Sequence, residues 1–282
     1  LRQELDAQGR QTERPVSWEP RGFAQSLDAK VALTIEGRAV WVGAWLYVLE
    51  GQGAGRTPIL LLDTDLDENR PEDRAITHYL YGGDETYRLK QEIVLGIGGV
   101  RMLHALGFQV RHYHMNEGHS ALLGVELLHR YAYPIWDLRP GEPTYDIPRV
   151  RDLCSFTTHT PVEAGHDRFG YDLVARVFGN FIGVEGLAHL ADEGAARRSR
   201  LTVNESLIEL DTLKQLAGGD ALNMTRLALN LSEYVNGVAK RHAEVSRRMF
   251  PGYEVHAVTN GVHPSTWTAK PFADLYDRYL PA

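Results

Sequence analysis

Residues 108–130 read FQVRHYHMNEGHSALLGVELLHR and place an extended segment, a polar loop and an apolar helical pattern in direct succession. The extended part is Phe108–His114, and the helical pattern covers Ala121–Arg130. Asn116 stands where a side-chain cap could start that helix. A strand that leads directly into a helix is typical of a βα unit. We therefore predict an α/β fold around this stretch.

The same succession recurs towards the carboxyl end of the chain. Arg151–Thr158 is predicted as a strand that ends in a turn, and Glu254–Thr259 as a further strand. Between them, Leu222–Phe250 is predicted as a long helix with possible breaks near Asn236-Gly237. Strands that alternate with helices usually form a largely parallel sheet. An α/β portion over about residues 66–282 is therefore expected.

The earlier part of the chain is richer in strand signals. Val31–Ile35 and Val40–Leu49 are joined by Glu36-Gly37, which predicts a hairpin. Pro58–Leu62 is a continuous apolar run and is expected to be buried on both faces. These patterns predict a β-rich portion over about residues 15–65, within a mixed sheet.

A helix is predicted over Tyr87–Leu106, ended by Gly107. The glycines of Gly96–Gly99 lie inside this helical pattern, and Arg101 occupies the remaining glycine position of a dinucleotide fingerprint. Close packing against a neighbouring element is therefore favoured over nucleotide binding.

Composition excludes several classes of protein. The 282 residues are 43% apolar with a net charge of −7, and their basic residues are scattered, so nucleic acid is not an expected partner. No run is long enough to span a bilayer, and Cys154 is the only cysteine, which favours a cytoplasmic protein without membrane partners. Because the chain begins at Leu1, we expect an internal piece of a longer protein.

Three polar loops fall at the ends of predicted strands: His114–His119, His159–Asp167 and Asn260–His263. Ligands of parallel α/β sheets collect at the carboxyl ends of strands. His159, beside hydroxyl-bearing residues, could be either a site or a structural residue. Taken alone, the Asn260-Gly261 pair favours an ordinary β-turn.

The sequence contains two candidate metal sites. His112, His114 and His119 form an H-x-H-x4-H pattern that would serve a metal-dependent hydrolase if the three rings converged. The acidic run Asp63–Asn69 begins like a calcium loop but carries Arg74 at its twelfth position, so a solvated turn is favoured there.

Six collinear blocks resemble the glycogen and α-glucan phosphorylase family, in particular its shorter bacterial and archaeal branch. They are LLDTDLDENRPEDRAITHYLYGGD, YRLKQEIVLGIGGVRML, YHMNEGHSALLGVELL, FTTHTPVEAGHDRF, VNGVAKRHAEVSRRMF and VTNGVHPSTW. They span Leu61 to Trp267, which is most of the chain.

The resemblance implies part of the Rossmann-like N-terminal half of a two-domain GT-B glycosyltransferase. Enzymes of this family, some of them allosteric, cleave the non-reducing end of an α-1,4-glucan or maltodextrin with orthophosphate, releasing glucose 1-phosphate. The resemblance further implies a homo-oligomer. It also implies pyridoxal phosphate on a lysine of the C-terminal domain, and none of the five lysines here lies in such a context.

The resemblance also assigns site residues. His159 corresponds to the family histidine that hydrogen-bonds the 6-hydroxyl of glucose, and Asn260 to the asparagine at its 4- and 6-hydroxyls. His119 corresponds to a histidine at the catalytic cleft, and the resemblance assigns His119 and His159 to catalysis. It assigns Asn116 and Glu117, the companions of His119, to substrate binding. Asp84 is assigned to substrate binding as well, within a gate loop over the active site.

The phosphate-cradling Gly-Gly-Leu-Gly loop of the family is not found in this sequence. We therefore expect this polypeptide alone to be inactive. The alternatives are the metal-dependent hydrolase and a non-enzymatic glucan-binding module.

Overall fold

A computed structural model describes residues 2–14, 16, 19–51, 55–80, 82–134, 137–139, 142–178, 182–183, 208–263 and 267–280. The chain divides into two compact units. The first comprises Leu1–Val110 and Asp172–Leu207, and the second comprises Arg111–Tyr171 and Ile208–Ala282.

The described residues form short strands and helices in alternation. The strands are β1 (Arg2–Leu5), β2 (Gln11–Arg14), β3 (Gln25–Ser26), β4 (Val31–Ile35), β5 (Arg38–Glu50), β6 (Arg56–Asp63), β7 (Tyr113–Asn116), β8 (Cys154–Thr158), β9 (Arg168–Gly170), β10 (Ile182–Gly183), β11 (Ile208–Glu209), β12 (Ala221–Asn223), β13 (Tyr234–Gly237) and β14 (His256–Ala257). The helices are α1 (Pro71–Arg74), α2 (Glu85–Ile93), α3 (Gly99–Ala105), α4 (Leu122–Arg130), α5 (Ile147–Asp152), α6 (Tyr171–Phe178), α7 (Leu210–Ala217), α8 (Met224–Asn230), α9 (Lys240–Met249) and α10 (Lys270–Tyr279).

The predicted hairpin is confirmed in the first unit. β4 and β5 pair antiparallel, with Ile35 opposite Arg38. The two residues between them, Glu36 and Gly37, have φ angles of 51° and 74°. Positive φ at both central residues defines a type I′ turn, whose twist matches that of the flanking strands.

The prediction of one mixed sheet is wrong. β3, β4 and β6 all pair antiparallel with β5, while the parallel strands form a separate sheet in the second unit. The expected two-sided burial of Pro58–Leu62 is also wrong, since Pro58 is exposed and the following residues are half-buried. An antiparallel sheet can leave one face towards water, which a parallel sheet seldom does.

The predicted helix over Tyr87–Leu106 is confirmed as α2, a π-helical turn at Val94–Gly98, and α3. Gly107 ends it with a φ of 81°. A Cβ atom on Gly98 would lie 3.2 Å from the Cδ1 atom of Leu33. The glycines therefore let the helix approach the hairpin closely, as predicted.

A buried ion pair ties the hairpin of the first unit to α1. Arg38 donates from Nε and Nη2 to both carboxylate oxygens of Asp73, at 2.8 and 2.7 Å. Arg38 also pairs with Glu36 at 2.8 Å, and Glu36 with Lys90 at 2.9 Å. The Asp73 side chain is only 2% exposed, so the carboxylate depends on this guanidinium for its partners.

The second unit contains the predicted parallel sheet, in the strand order β14-β13-β8-β7. Met115, Phe156 and Val235 lie opposite one another on a buried apolar face. Residues that alternate with them, such as Thr157 and Asn236, lie on the other face. This alternation sets which side chains reach the carboxyl ends of the strands.

The long helix predicted over Leu222–Phe250 is wrong. The segment contains β12, α8, β13 and α9 in turn. β13 is a central strand only four residues long, too short for its periodicity to be read from the sequence. A Cβ atom on Gly237 would lie 2.4 Å from Nδ1 of His242, so α9 packs directly on this glycine.

Among the described residues, none of the helices has both the length and the apolar composition that crossing a membrane requires.

Candidate functional site

The loops predicted to carry the site meet at one edge of the parallel sheet in the second unit. β7 ends at Asn116, β8 at Thr158 and β14 at Ala257. The register places Asn116 opposite Thr157, Thr157 opposite Asn236, and Asn236 opposite His256. The residues that follow each strand are therefore brought side by side.

His159 and Asn260 present uncommitted polar side chains at this edge. Both residues are exposed, and neither side chain makes a hydrogen bond with the described part of the chain. Their backbones are nevertheless fixed, because the His159 amide donates to Glu117 and the Asn260 amide donates to the carbonyl of Val238 at 3.0 Å. β13 separates their strands, which sets the strand axes about 10 Å apart.

Glu117 holds the start of the His159 loop. Its Oε1 atom accepts hydrogen bonds from the His159 amide, from Thr160 Oγ1 at 2.9 Å and from Thr158 Oγ1 at 3.5 Å. Its Oε2 atom accepts from the Gly118 amide at 3.3 Å. The backbone of Glu117 has a φ of 67°, a conformation that L-residues other than glycine seldom adopt.

His119 holds the end of the same loop. Its Nδ1 atom lies 3.0 Å from Oδ2 of Asp167, and both side chains are partly buried. The resemblance had placed His119 near the catalytic cleft, and the structure gives it a definite partner in the His159 loop.

Gly118, between these two residues, packs against the start of α8. A Cβ atom there would lie 3.1 Å from Thr225 Oγ1, 3.2 Å from Thr225 N and 3.3 Å from Met224 Cβ. Thr225 Oγ1 in turn lies 2.7 Å from Nδ1 of His166, a buried residue of the loop. Burial lowers the pKa of His166, while the carboxylates of Glu117 and Asp167 oppose that shift.

Asn116 does not cap a helix, so that prediction is wrong. It is the last residue of β7 and is exposed, while the turn that follows begins at Gly118 and α4 at Leu122. The pairing of β7 with β8 continues beyond it, since the Glu117 amide donates to Thr157 O at 2.9 Å. Strand pairing therefore determines the conformation of Asn116, although asparagine is a common helix N-cap residue.

Asp84 belongs to the first unit, where it caps α2. Its Oδ1 atom accepts a hydrogen bond from the Tyr87 amide at 2.9 Å. The preceding Gly83 has a φ of 74° and lies against the Tyr87 ring. The contacts of Asp84 are those of a helix N-cap.

The three histidines of the proposed metal cluster bond to three different residues. His112 Nε2 lies 3.1 Å from Ser155 Oγ, and His114 Nε2 lies 2.7 Å from Thr157 Oγ1. His119 bonds to Asp167 instead, and the described residues offer no metal-binding group that contains all three histidines. The arrangement does not support the metal-dependent hydrolase.

The acidic run before α1 has internal partners. Arg74 donates to Asp65 at 2.6 Å and to Asp67 at 3.1 Å. The guanidinium of Arg74 lowers the pKa of Asp65. Arg74, which occupies the twelfth position of the calcium-loop pattern, therefore neutralises part of the acidic run. The solvated-turn interpretation is supported.

The sequence does not predict the hydrogen-bonded network of His114, Thr157 and Asn236 near the carboxyl ends of the strands. Thr157 Oγ1 donates to Oδ1 of Asn236 at 2.9 Å, and His114 Nε2 lies 2.7 Å from the same hydroxyl. The sequence predicts only a possible break in a helix at the Asn236-Gly237 pair. Asn236 is buried in β13, a position that depends on the strand register.

These observations define an α/β unit with a parallel sheet and a candidate ligand site at the carboxyl ends of its strands. No protein-family model matches the chain. It is 32% identical to a maltodextrin phosphorylase of Thermococcus litoralis and 36% identical to a glycogen phosphorylase of Mycobacterium tuberculosis, over 99% and 98% of its own length. A glycogen phosphorylase of Aquifex aeolicus is 30% identical over 92% of the chain.

The chain is thus a homologue of the glycogen and maltodextrin phosphorylases, as the six sequence blocks predicted. It spans about a third of the length of these relatives, namely 32%, 32% and 37%. The bacterial and archaeal sources agree with the branch indicated by the sequence.

Proposed function

We propose that the second unit binds the terminal glucose of an α-1,4-glucan within a phosphorylase. The observation that carries this proposal is the pair of uncommitted polar side chains, His159 and Asn260, on fixed backbones at one sheet edge. Side chains from two positions about 10 Å apart can meet on a sugar ring placed between them. A neutral polyhydroxyl ligand suits an imidazole and an amide, which offer both donors and acceptors.

In the reaction proposed for the whole enzyme, orthophosphate cleaves the terminal linkage and releases glucose 1-phosphate. In that reaction, this chain would position the substrate. His159 and Asn260 would hold the hydroxyls remote from the reacting carbon, which fixes that carbon relative to the incoming phosphate. The binding energy of these hydroxyls is then used for orientation.

Pyridoxal phosphate, implied by the resemblance, does not fit the lysines of this chain. Lys30 pairs with Glu68, Lys90 with Glu36 and Lys270 with Asp274, while Lys214 lies over the Tyr171 ring. Lys240 is exposed at the first turn of α9. We therefore assign no step to the cofactor here, and expect the 282-residue chain alone to form no glucose 1-phosphate.

The two-domain GT-B arrangement, the cytoplasmic location and the homo-oligomeric state belong to the same proposal. They rest on the resemblance to the family.

The test uses the complete enzyme that contains this segment. We expect His159→Ala and Asn260→Ala each to lower kcat/KM for maltodextrin phosphorolysis by about tenfold or more, since each removes a hydrogen bond to the substrate. His112→Ala is the matched control, because His112 is an exposed histidine preceding β7, at the opposite end of the same sheet. It should leave kcat/KM unchanged.

A substrate analogue sharpens this test. In the synthetic direction, wild-type enzyme should discriminate strongly between glucose 1-phosphate and its 6-deoxy analogue, because the analogue leaves a polar group unpaired. His159→Ala should lose most of that discrimination. Equal discrimination in the wild-type enzyme and the variant would remove His159 from the sugar site.

A further inference from the structure

We propose that Glu117 is a positioning residue that fixes the main chain of His159 and does not itself bind the sugar. This proposal rests on the sugar-binding role proposed above. It gives Glu117 a different role from the substrate contact implied by the family resemblance.

The Oε1 atom of the Glu117 carboxylate is already fully engaged by the protein. The carboxylate offers about four lone-pair positions. The donors that reach it are the amides of Gly118 and His159 and the hydroxyls of Thr158 and Thr160. Three of them converge on Oε1, which has only two lone pairs, so a sugar hydroxyl would have to displace a donor from that atom. Oε2 faces the Gly118 amide of the same loop.

The backbone conformation supports the same conclusion. Among the described residues, only Glu36 and Glu117 combine a side chain with positive φ. Glu36 lies in the hairpin turn, where the turn type requires this conformation. At Glu117 glycine would adopt the observed φ of 67° at less cost, which indicates that the carboxylate is what the position needs.

The geometry connects Glu117 to function through one residue. The His159 amide is the first main-chain group beyond β8, and its bond to Glu117 sets the direction in which the imidazole leaves the sheet. The imidazole has no hydrogen bond of its own among the described residues. Its position therefore depends on the backbone that Glu117 holds.

The first experiment is a double-mutant cycle in the complete enzyme, measured as kcat/KM for maltodextrin. Glu117→Gln should lower kcat/KM about tenfold or more, because a charge-assisted acceptor is lost and an amide donor faces Gly118. In combination with His159→Ala it should cost nothing further, since both changes remove the same interaction. The proposal would be overturned if the factors by which the two single changes lower kcat/KM multiplied in the double variant. Wild-type kinetics in Glu117→Gln would overturn it as well.

Glu163→Gln is the matched control, since Glu163 lies in the same loop with a side chain 86% exposed. It should behave as wild type. Should Glu117→Gln fail to fold, Thr160→Val removes one donor to the same carboxylate and should lower kcat/KM in the same direction by a smaller factor. An unchanged kcat/KM in Thr160→Val would then count against the proposal.

Hydrogen exchange separates this proposal from the function it rests on. In Glu117→Gln, the peptide containing His159 and Thr160 should exchange roughly tenfold faster than in the wild-type protein. Unchanged exchange would refute the positioning role whatever the activity. If the wild-type enzyme performed no phosphorolysis, the proposed function would fail, and the exchange rate would still decide whether Glu117 holds the loop.

Discussion

Gly118→Ala should destabilise the second unit, because the added methyl group has no free space. The new Cβ atom would approach Thr225 Oγ1, Thr225 N and Met224 Cβ at 3.1, 3.2 and 3.3 Å. One of these atoms is a backbone nitrogen at the start of α8, so relief requires a shift of the helix and not a side-chain rotation. Overpacking of this kind costs about 1–3 kcal/mol.

Thermal unfolding followed by circular dichroism measures this cost. A loss of about 1–3 kcal/mol corresponds to a fall in Tm of roughly 2–10 °C for a chain of this size. Gly219→Ala is the matched control, since a Cβ atom at Gly219 meets nothing within 4 Å. Equal Tm values for the two variants would refute the packing argument at Gly118.

Three further outcomes are expected. Asp73→Ala should lower the free energy of unfolding in urea by about 3–5 kcal/mol, because Arg38 loses its bidentate partner. A loss no larger than that of Asp274→Ala, which removes an exposed pair with Lys270, would contradict this. Burial raises the pKa of the Cys154 thiol to about 12 from 9.0, so the native chain should resist thiol reagents, and its stability should decline as pH rises above 9.0. Burial lowers the pKa of His166 below 6.5, so the folded chain favours the neutral imidazole. The stability that this contributes is fully present above pH 6.5 and should be lost as the pH falls through the folded-state pKa. In His166→Gln, the free energy of unfolding in urea should therefore depend less on acid pH.

The sequence predicts the strand-loop-helix succession and the edge of the sheet that carries the site. His159 could be placed because a β-rich run precedes it, and strand ends of a parallel sheet share one edge. The Glu36-Gly37 hairpin could be placed because the turn chemistry is local. Both predictions depend only on neighbouring residues.

The failures concern properties that only tertiary pairing decides. β13 has four residues, and its strand conformation comes from partners on both sides, not from its own propensity. Asn116 has the chemistry of a helix cap but lies in β7 because its strand pairs with β8. The role of Glu117 could not be predicted for the same reason, since three of its four donors lie 41–43 positions further along the chain.

The most direct test of the central claim is a crystal structure of the complete enzyme with bound maltodextrin or glucose 1-phosphate. We predict that the His159 imidazole and the Asn260 amide each lie about 2.7–3.2 Å from hydroxyls of one glucose residue, with Glu117 still bonded to the His159 amide. A sugar bound elsewhere, with His159 and Asn260 both facing water, would contradict the account.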